Sequence, residues 1–234
     1  MPSARRPAGR LPATKVTRVI STRKKAQRTP SRRGAGESLR TDILAAAAEM
    51  LGETGDVDAV SLRGVARRVG VTPTSIYLHF ADREELHLAV KQLRFEEFAA
   101  VLQAAAEAAG DDPGARLRAM GHAYVRYGLA NPGHYRVLFV SNLRHQAGEK
   151  LADSHAHRAI LLITEEVGRY LGLPAVAKET VMLALHLWSA THGMVALRLA
   201  QARYPHADAA RDPWPDAHEQ IDNLADLLLP KRGA

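Results

Sequence analysis

From Leu39 onward, apolar residues recur three and four positions apart, and no alternating strand pattern interrupts them. Leu39, Ile43, Ala46, Ala47, Met50 and Leu51 share one face, which predicts a first helix from about Ser38, ended by Gly52 and Gly55. A polar turn leads to Ser61, a good N-cap for a second helix whose Leu62, Val65, Ala66 and Val69 face inward and which Gly70 stops. Thr72 then caps a third helix, with Pro73 in the first helical position, where a missing N–H costs nothing. Ile76 and Phe80, four apart, mark its buried side. Asp82 followed by Glu85 reads as a capping box that opens the next helix.

The same period predicts further helices over 83–109, 115–130, 132–140, 153–171, 175–203 and 215–229. Breaks fall at Gly110 to Pro113, Asn131-Pro132, Leu173-Pro174 and Tyr204-Pro205. The expected fold class is all-α. A three-helix unit over 37–84 is followed by a helical bundle over 85–230, which must support a unit too small to have a secure core of its own.

The second and third helices, joined by a Gly-Val-Thr turn, form a helix-turn-helix. The stretch VARRVGVTPTSIYLHFADREEL keeps Thr72, Thr74, Ser75, Tyr77 and His79 off the Ile76/Phe80 face. Small side chains let a helix backbone sink into a major groove roughly 12 Å wide. Thr and Ser hydroxyls can bond to base edges or phosphates, and Tyr and His reach flanking phosphates. The polar side is therefore expected to face double-stranded DNA, while Phe80 pins the helix to its domain.

Charge divides the chain. Eleven positive residues and no acid lie within 1–36, against a whole-chain net charge of +7, so the remainder is net −4. This segment, rich in Pro, Gly, Ser and Thr, has no helical period and reads as a disordered basic arm. Its plain reading is a solubilising leader or an upstream extension of the native start; the sharper one is an arm that follows a phosphate backbone or enters a minor groove. A mitochondrial transit peptide is disfavoured by its prolines. Over 37–84, five bases face eight acids, unusual for a nucleic-acid reader, so the arm is expected to supply much of the non-specific affinity. The chain has no cysteine, which excludes disulfides and thiolate metal sites and suits a reducing cytoplasm. No run of about 18 apolar residues predicts a membrane span.

The segment from Ser38 to Ala89 resembles the DNA-binding domain of the TetR/AcrR family of transcriptional regulators. LRTDILAAAAEML, the spacing to SLRGVARRVGVTPTSIYLHF, and ADREEL carry the resemblance. It implies DNA contacts by Arg63, Thr72, Pro73, Thr74, Ser75 and Tyr77, and phosphate contacts by His79, Arg83 and Arg40. Thr72 is also needed as an N-cap, Tyr77 could be a core edge, and Arg67 and Arg68 could be a solvated face. Two positions depart from the family pattern. Leu78 stands where a second aromatic or a base is common, and could touch a thymine methyl or nothing. Gly52 replaces a common Phe, which is expected to thin the core under the first helix.

Farther on, Trp188-x-x-x-His192-Gly193 and NPGHYRVLF resemble the effector-binding C-terminal domain of one TetR subgroup. The resemblance implies a homodimer formed by the last two long helices, with Gly193 and Ala196 as a smooth contact strip. It also implies a pseudo-palindromic operator and an effector pocket within the bundle, with candidate residues Phe98, Leu102, Met120, Tyr124, Tyr127, Tyr135, Phe139, Trp188, Ser189 and His192. Such a wall suits an apolar or amphipathic small molecule; against it, Trp188 and His192 read as packed core with a satisfied imidazole, and Tyr124, Tyr127 and Tyr135 as core or dimer edge. The expected function is a repressor released by that effector, the alternative a regulator without one. No cofactor or metal is called for. His155 and His157, two apart, give no two-ligand helical face, and no nucleophile elbow or phosphate loop accompanies Ser189 and His192.

Overall fold

The computed structural model describes residues 35–139, 155–201 and 215–229. Most of the basic arm lies outside these residues. The described residues form nine helices and no strand: α1 (Ala35–Thr54), α2 (Leu62–Val69), α3 (Pro73–Tyr77), α4 (Arg83–Ala108), α5 (Pro113–Ala130), α6 (Pro132–Phe139), α7 (His155–Leu171), α8 (Lys178–Gln201) and α9 (Ala217–Leu228).

The reader core joins α1, α2 and α3 through Ile43, Ala47, Leu51, Val65, Ile76 and Phe80. It does not end with them: Leu86 and Val90 of α4 and Val137 of α6 belong to the same cluster. Farther along α4, Phe95, Phe98, Leu102 and Ala106 enter the bundle core with Met120, Tyr124, Tyr135, Leu138 and Val195. A third cluster around Leu117, Val167, Ala184 and Ala225 closes the far end of the bundle. There Arg116 of α5 forms a shielded ion pair with Glu166 of α7 and also donates to the carbonyls of Ala106 and Gly110 at the end of α4.

Two local expectations change. Helix α1 starts three residues earlier than expected and runs through Gly52 to Thr54; the turn is made by Gly55 at φ +62°. Nor does Gly52 thin the core. A Cβ at Gly52 would meet the His134 ring of α6, and one at Gly133 would overlap the Gly52 carbonyl oxygen. The missing side chain lets α6 seat directly on α1, so the gap expected from the sequence is filled by a neighbouring helix. A third difference concerns α8, which is long and apolar enough to cross a membrane by length and composition, with mean hydropathy 1.3 in its most apolar window. Its Thr180, Ala184, Thr191 and Val195 are nevertheless buried against the bundle.

Candidate nucleic-acid interface and effector pocket

Short-range hydrogen bonds set the reading helix. Ser61 Oγ accepts the Gly64 N–H at 3.1 Å to start α2, and Gly70, at φ +81°, returns its N–H to the Ala66 carbonyl. Thr72 Oγ1 accepts the Ser75 N–H at 3.3 Å and lies 3.0 Å from the Ser75 hydroxyl, so both hydroxyls are partly engaged in the cap. Helix α3 is five residues long, and Phe80 lies beyond its end, its N–H donating to the Ile76 carbonyl. Ile76 and Phe80 are buried. At the start of α4, Asp82 accepts the Glu85 N–H, and the Glu85 carboxylate reaches back to the Ala81 N–H.

The opposite side is open. Arg63, Thr72, Pro73, Thr74 and Arg83 are exposed, while Ser75 and His79 are half-buried. Tyr77 is 55% exposed, which removes the reading of it as a core edge, and Leu78 is 80% exposed. The cations are not equivalent. Arg40 lies with its guanidinium 5.1 Å from the Phe80 ring centroid, a cation–π contact that ties α1 to the end of the reading helix. Arg83 is paired with Asp58 at 3.1 Å, an exposed bridge that a phosphate could replace at little cost. Arg68 is not a simple solvated cation: it makes two bonds to the Glu53 carboxylate, at 2.9 and 2.8 Å, fastening α2 to α1. Arg67 is exposed.

The bundle carries a cluster of rings. Phe98 packs edge-on against Tyr124 and Phe139, with centroids 5.0 and 5.9 Å apart, and Phe95 packs edge-on against Phe139. Behind them, His192 Nδ1 lies 2.9 Å from the Tyr124 hydroxyl and 2.7 Å from that of Tyr135. A neutral imidazole has one lone pair, at a single nitrogen. One phenol can therefore donate to Nδ1 while Tyr135 can turn its proton to the His192 carbonyl, 3.1 Å away. Burial holds His192 below the usual histidine range and pushes Tyr135 up to about 12. Tyr124 is raised too, by burial first and then by Tyr135. The cluster is uncharged at neutral pH.

A pocket of about 170 Å³ opens beside these rings, walled by Phe95, Phe98, Tyr124, Leu138, Phe139, Ala159, Ile160, Ile163 and Trp188. A smaller one, about 40 Å³, lies where Tyr124, Ile163 and Trp188 meet Leu102, Met120, Leu187 and Ile221. Four of the sequence-named residues, Phe98, Tyr124, Phe139 and Trp188, thus wall the larger pocket; Leu102 and Met120 join the smaller. Tyr135 and His192 lie behind the wall. Tyr127 lies outside both; its buried hydroxyl has no partner among the described residues, and burial pushes it up to about 12. Ser189 is exposed on α8 and lines neither pocket, a correction that follows from which side of α8 meets the bundle. Sequence reasoning missed Ile160 and Ile163 of α7, whose spacing signals a buried face but not a cavity. It also missed Gly128, where a Cβ would crowd Val195 of α8 and Tyr135.

Comparison with known proteins agrees with this architecture. Residues 43–90 match the family described as bacterial regulatory proteins, tetR family, and residues 117–221 match the tetracyclin repressor-like C-terminal domain. The chain belongs to the TetR family of transcriptional regulators. No curated protein matches the sequence. Among solved structures, a protein with unknown function from Rhodococcus sp. RHA1 is 26% identical over 82% of this chain and 93% of its own, with TM-score 0.67. A TetR family transcription regulator from Marinobacter aquaeolei VT8 shares the fold at 20% identity and TM-score 0.58, covering 83% of this chain and 97% of its own. A TetR-family transcriptional regulator from Streptomyces coelicolor does so at 24% identity and TM-score 0.54, covering 81% and 96%.

Proposed function

We propose that this regulator is a repressor that binds a pseudo-palindromic operator as a homodimer and leaves it when a small apolar or amphipathic molecule enters the bundle pocket. The observation that carries the reading is the position of α6. Its Leu138 and Phe139 wall the pocket, while Val137 belongs to the reader core and Gly133 abuts Gly52 of α1. A ligand that moves the rings would move the helix on which α1 rests. Helix α4 gives a second route, with Val90 in the reader core and Phe95 in the pocket wall. A coupling of about 1–3 kcal/mol, roughly 5–150-fold in operator affinity, is typical of such linkage.

The homodimer reading is supported by α8. Met182, Leu185 and Leu197 are exposed, and a Cβ at Gly193 would meet nothing within 4 Å. An apolar strip with a smooth centre suits a second copy, whose symmetry would space two reading helices about one DNA turn apart. The DNA contacts are assigned to Arg40, Arg63, Thr72, Pro73, Thr74, Ser75, Tyr77, His79 and Arg83, with the arm over 1–36 adding phosphate contacts. The protein would act in the cytoplasm as a regulator, not a catalyst. Selection from a random duplex library with the full chain tests this reading: an inverted repeat is expected. Binding without a motif that vanishes as salt rises would overturn it. Operator affinity that no pocket ligand alters would leave a regulator without a small-molecule effector.

A further inference from the structure

We propose that the larger pocket takes a neutral molecule built on a single aromatic ring. The inference rests on the reading of this cavity as the effector site, and it names the chemistry of the occupant. Size comes first. A volume of about 170 Å³ is close to that of an apolar cavity of about 150 Å³ known to admit benzene. A long acyl chain or a fused polycycle exceeds that volume, so part of it would project from the pocket mouth.

Charge comes second. None of the nine wall residues is ionisable as an acid or base near neutral pH: five are aromatic, and Leu138, Ala159, Ile160 and Ile163 are aliphatic. The groups behind the wall do not supply a charge either, since His192 is neutral and shares its Nδ1 with the Tyr124 and Tyr135 hydroxyls. Arg118, in the smaller pocket, has its guanidinium engaged by Asp222 at 3.0 Å and Asp226 at 2.6 Å. A buried carboxylate or ammonium would therefore go unpaired, at a cost of several kcal/mol. Shape comes third. Phe95, Phe98, Tyr124 and Phe139 meet largely edge to face, and a further ring can continue that arrangement where an aliphatic ring of equal size cannot.

The test titrates the full-length protein at pH 7 with toluene, benzoate, methylcyclohexane and dodecanoate, following heat of binding. NOEs from bound toluene to the methyl groups of Ala159 and Ile163 locate it in the unsubstituted protein. Toluene is expected to bind at least about 100-fold more tightly than benzoate and about threefold or more tightly than methylcyclohexane. Ala159→Leu, which fills the cavity, is expected to abolish toluene binding. Benzoate or dodecanoate binding as tightly as toluene would overturn the neutral, single-ring class. So would failure of toluene to bind, or equal binding of methylcyclohexane. Operator affinity is then measured with and without toluene: toluene bound at Ala159 with operator affinity unchanged supports the ligand class and sinks the effector reading. Release of the operator by a charged or long-chain ligand alone does the reverse.

Discussion

Phe80 in the reader and Phe98 in the bundle are both almost fully buried, at 1% and 2% exposure, yet their surroundings differ. Phe80 sits among Ile43, Leu51, Val65 and Ile76, in a cluster without a buried hydroxyl. Phe98 sits among rings, beside a cavity and near two phenols that lie within hydrogen-bond distance of one imidazole nitrogen. A core packed at crystal density has one arrangement of low energy, and small volume changes are felt throughout it. A core with a cavity and a hydrogen-bond cluster that can exchange partners has neighbouring arrangements of similar energy. The reader is therefore suited to hold a fixed surface, and the bundle to change shape. Helices α4 and α6 connect the two because each has side chains in both cores.

The largest expected effect lies at that connection. Gly133→Ala places a methyl group against the Gly52 carbonyl oxygen, a backbone atom that cannot swing aside. It should cost about 3 kcal/mol in urea denaturation and lower operator affinity as well. A cost below about 1 kcal/mol would mean that α6 does not rest on α1. Next comes one substitution made in both cores. Ala47→Leu, in the fully buried reader, should destabilise by about 1–3 kcal/mol through overpacking. Ala159→Leu, on the pocket wall, should be neutral or stabilise by about 0.5–2 kcal/mol by filling space. Equal losses at the two sites would erase the distinction drawn between the cores.

Smaller effects separate capping from recognition within the reader. Thr72→Ala removes the cap on α3 and should cost about 1 kcal/mol of stability. Exposed Tyr77→Ala should leave stability within about 0.5 kcal/mol while weakening operator binding, read by thermal denaturation and fluorescence anisotropy. The smallest effect is set by pH. Burial lowers His87, whose Nε2–H can donate to the Val60 carbonyl at 3.1 Å, and burial also lowers His134 and His192. In the unfolded chain histidine titrates near about 6.5, so the unfolded state binds more protons just below that pH. Stability should be full above about 6.5 and fall as pH drops from there toward the folded-state values. His87→Gln should flatten the fall in urea midpoint between pH 7.5 and 5.5 more than His192→Gln, because His87 is only 2% exposed. The reverse order would place the softer response in the reader.

Much of the fold was legible because it is written in local signals. The caps at Ser61, Thr72 and Asp82, the stop at Gly70 and the breaks before Pro113, Pro132 and Pro174 each act within a few residues. The candidate pocket was legible only in part. Trp188, Tyr124 and Phe139 stood out as aromatics on apolar faces, but spacing cannot tell a filled core from a walled cavity. Ser189 failed for the related reason that α8 is apolar on more than one side, so periodicity did not specify which side faces its own bundle.

The sequence by itself determined the helices, the caps that frame the reading helix and its polar face, because capping, backbone freedom and the helical period depend on near neighbours. Only the tertiary structure decided that Gly52 and Gly133 meet, that Arg68 binds Glu53, and that His192 joins Tyr124 to Tyr135. Those contacts join residues from 15 to 81 positions apart. Their geometry depends on how whole helices pack, a sum over many side chains that no single stretch of the chain contains.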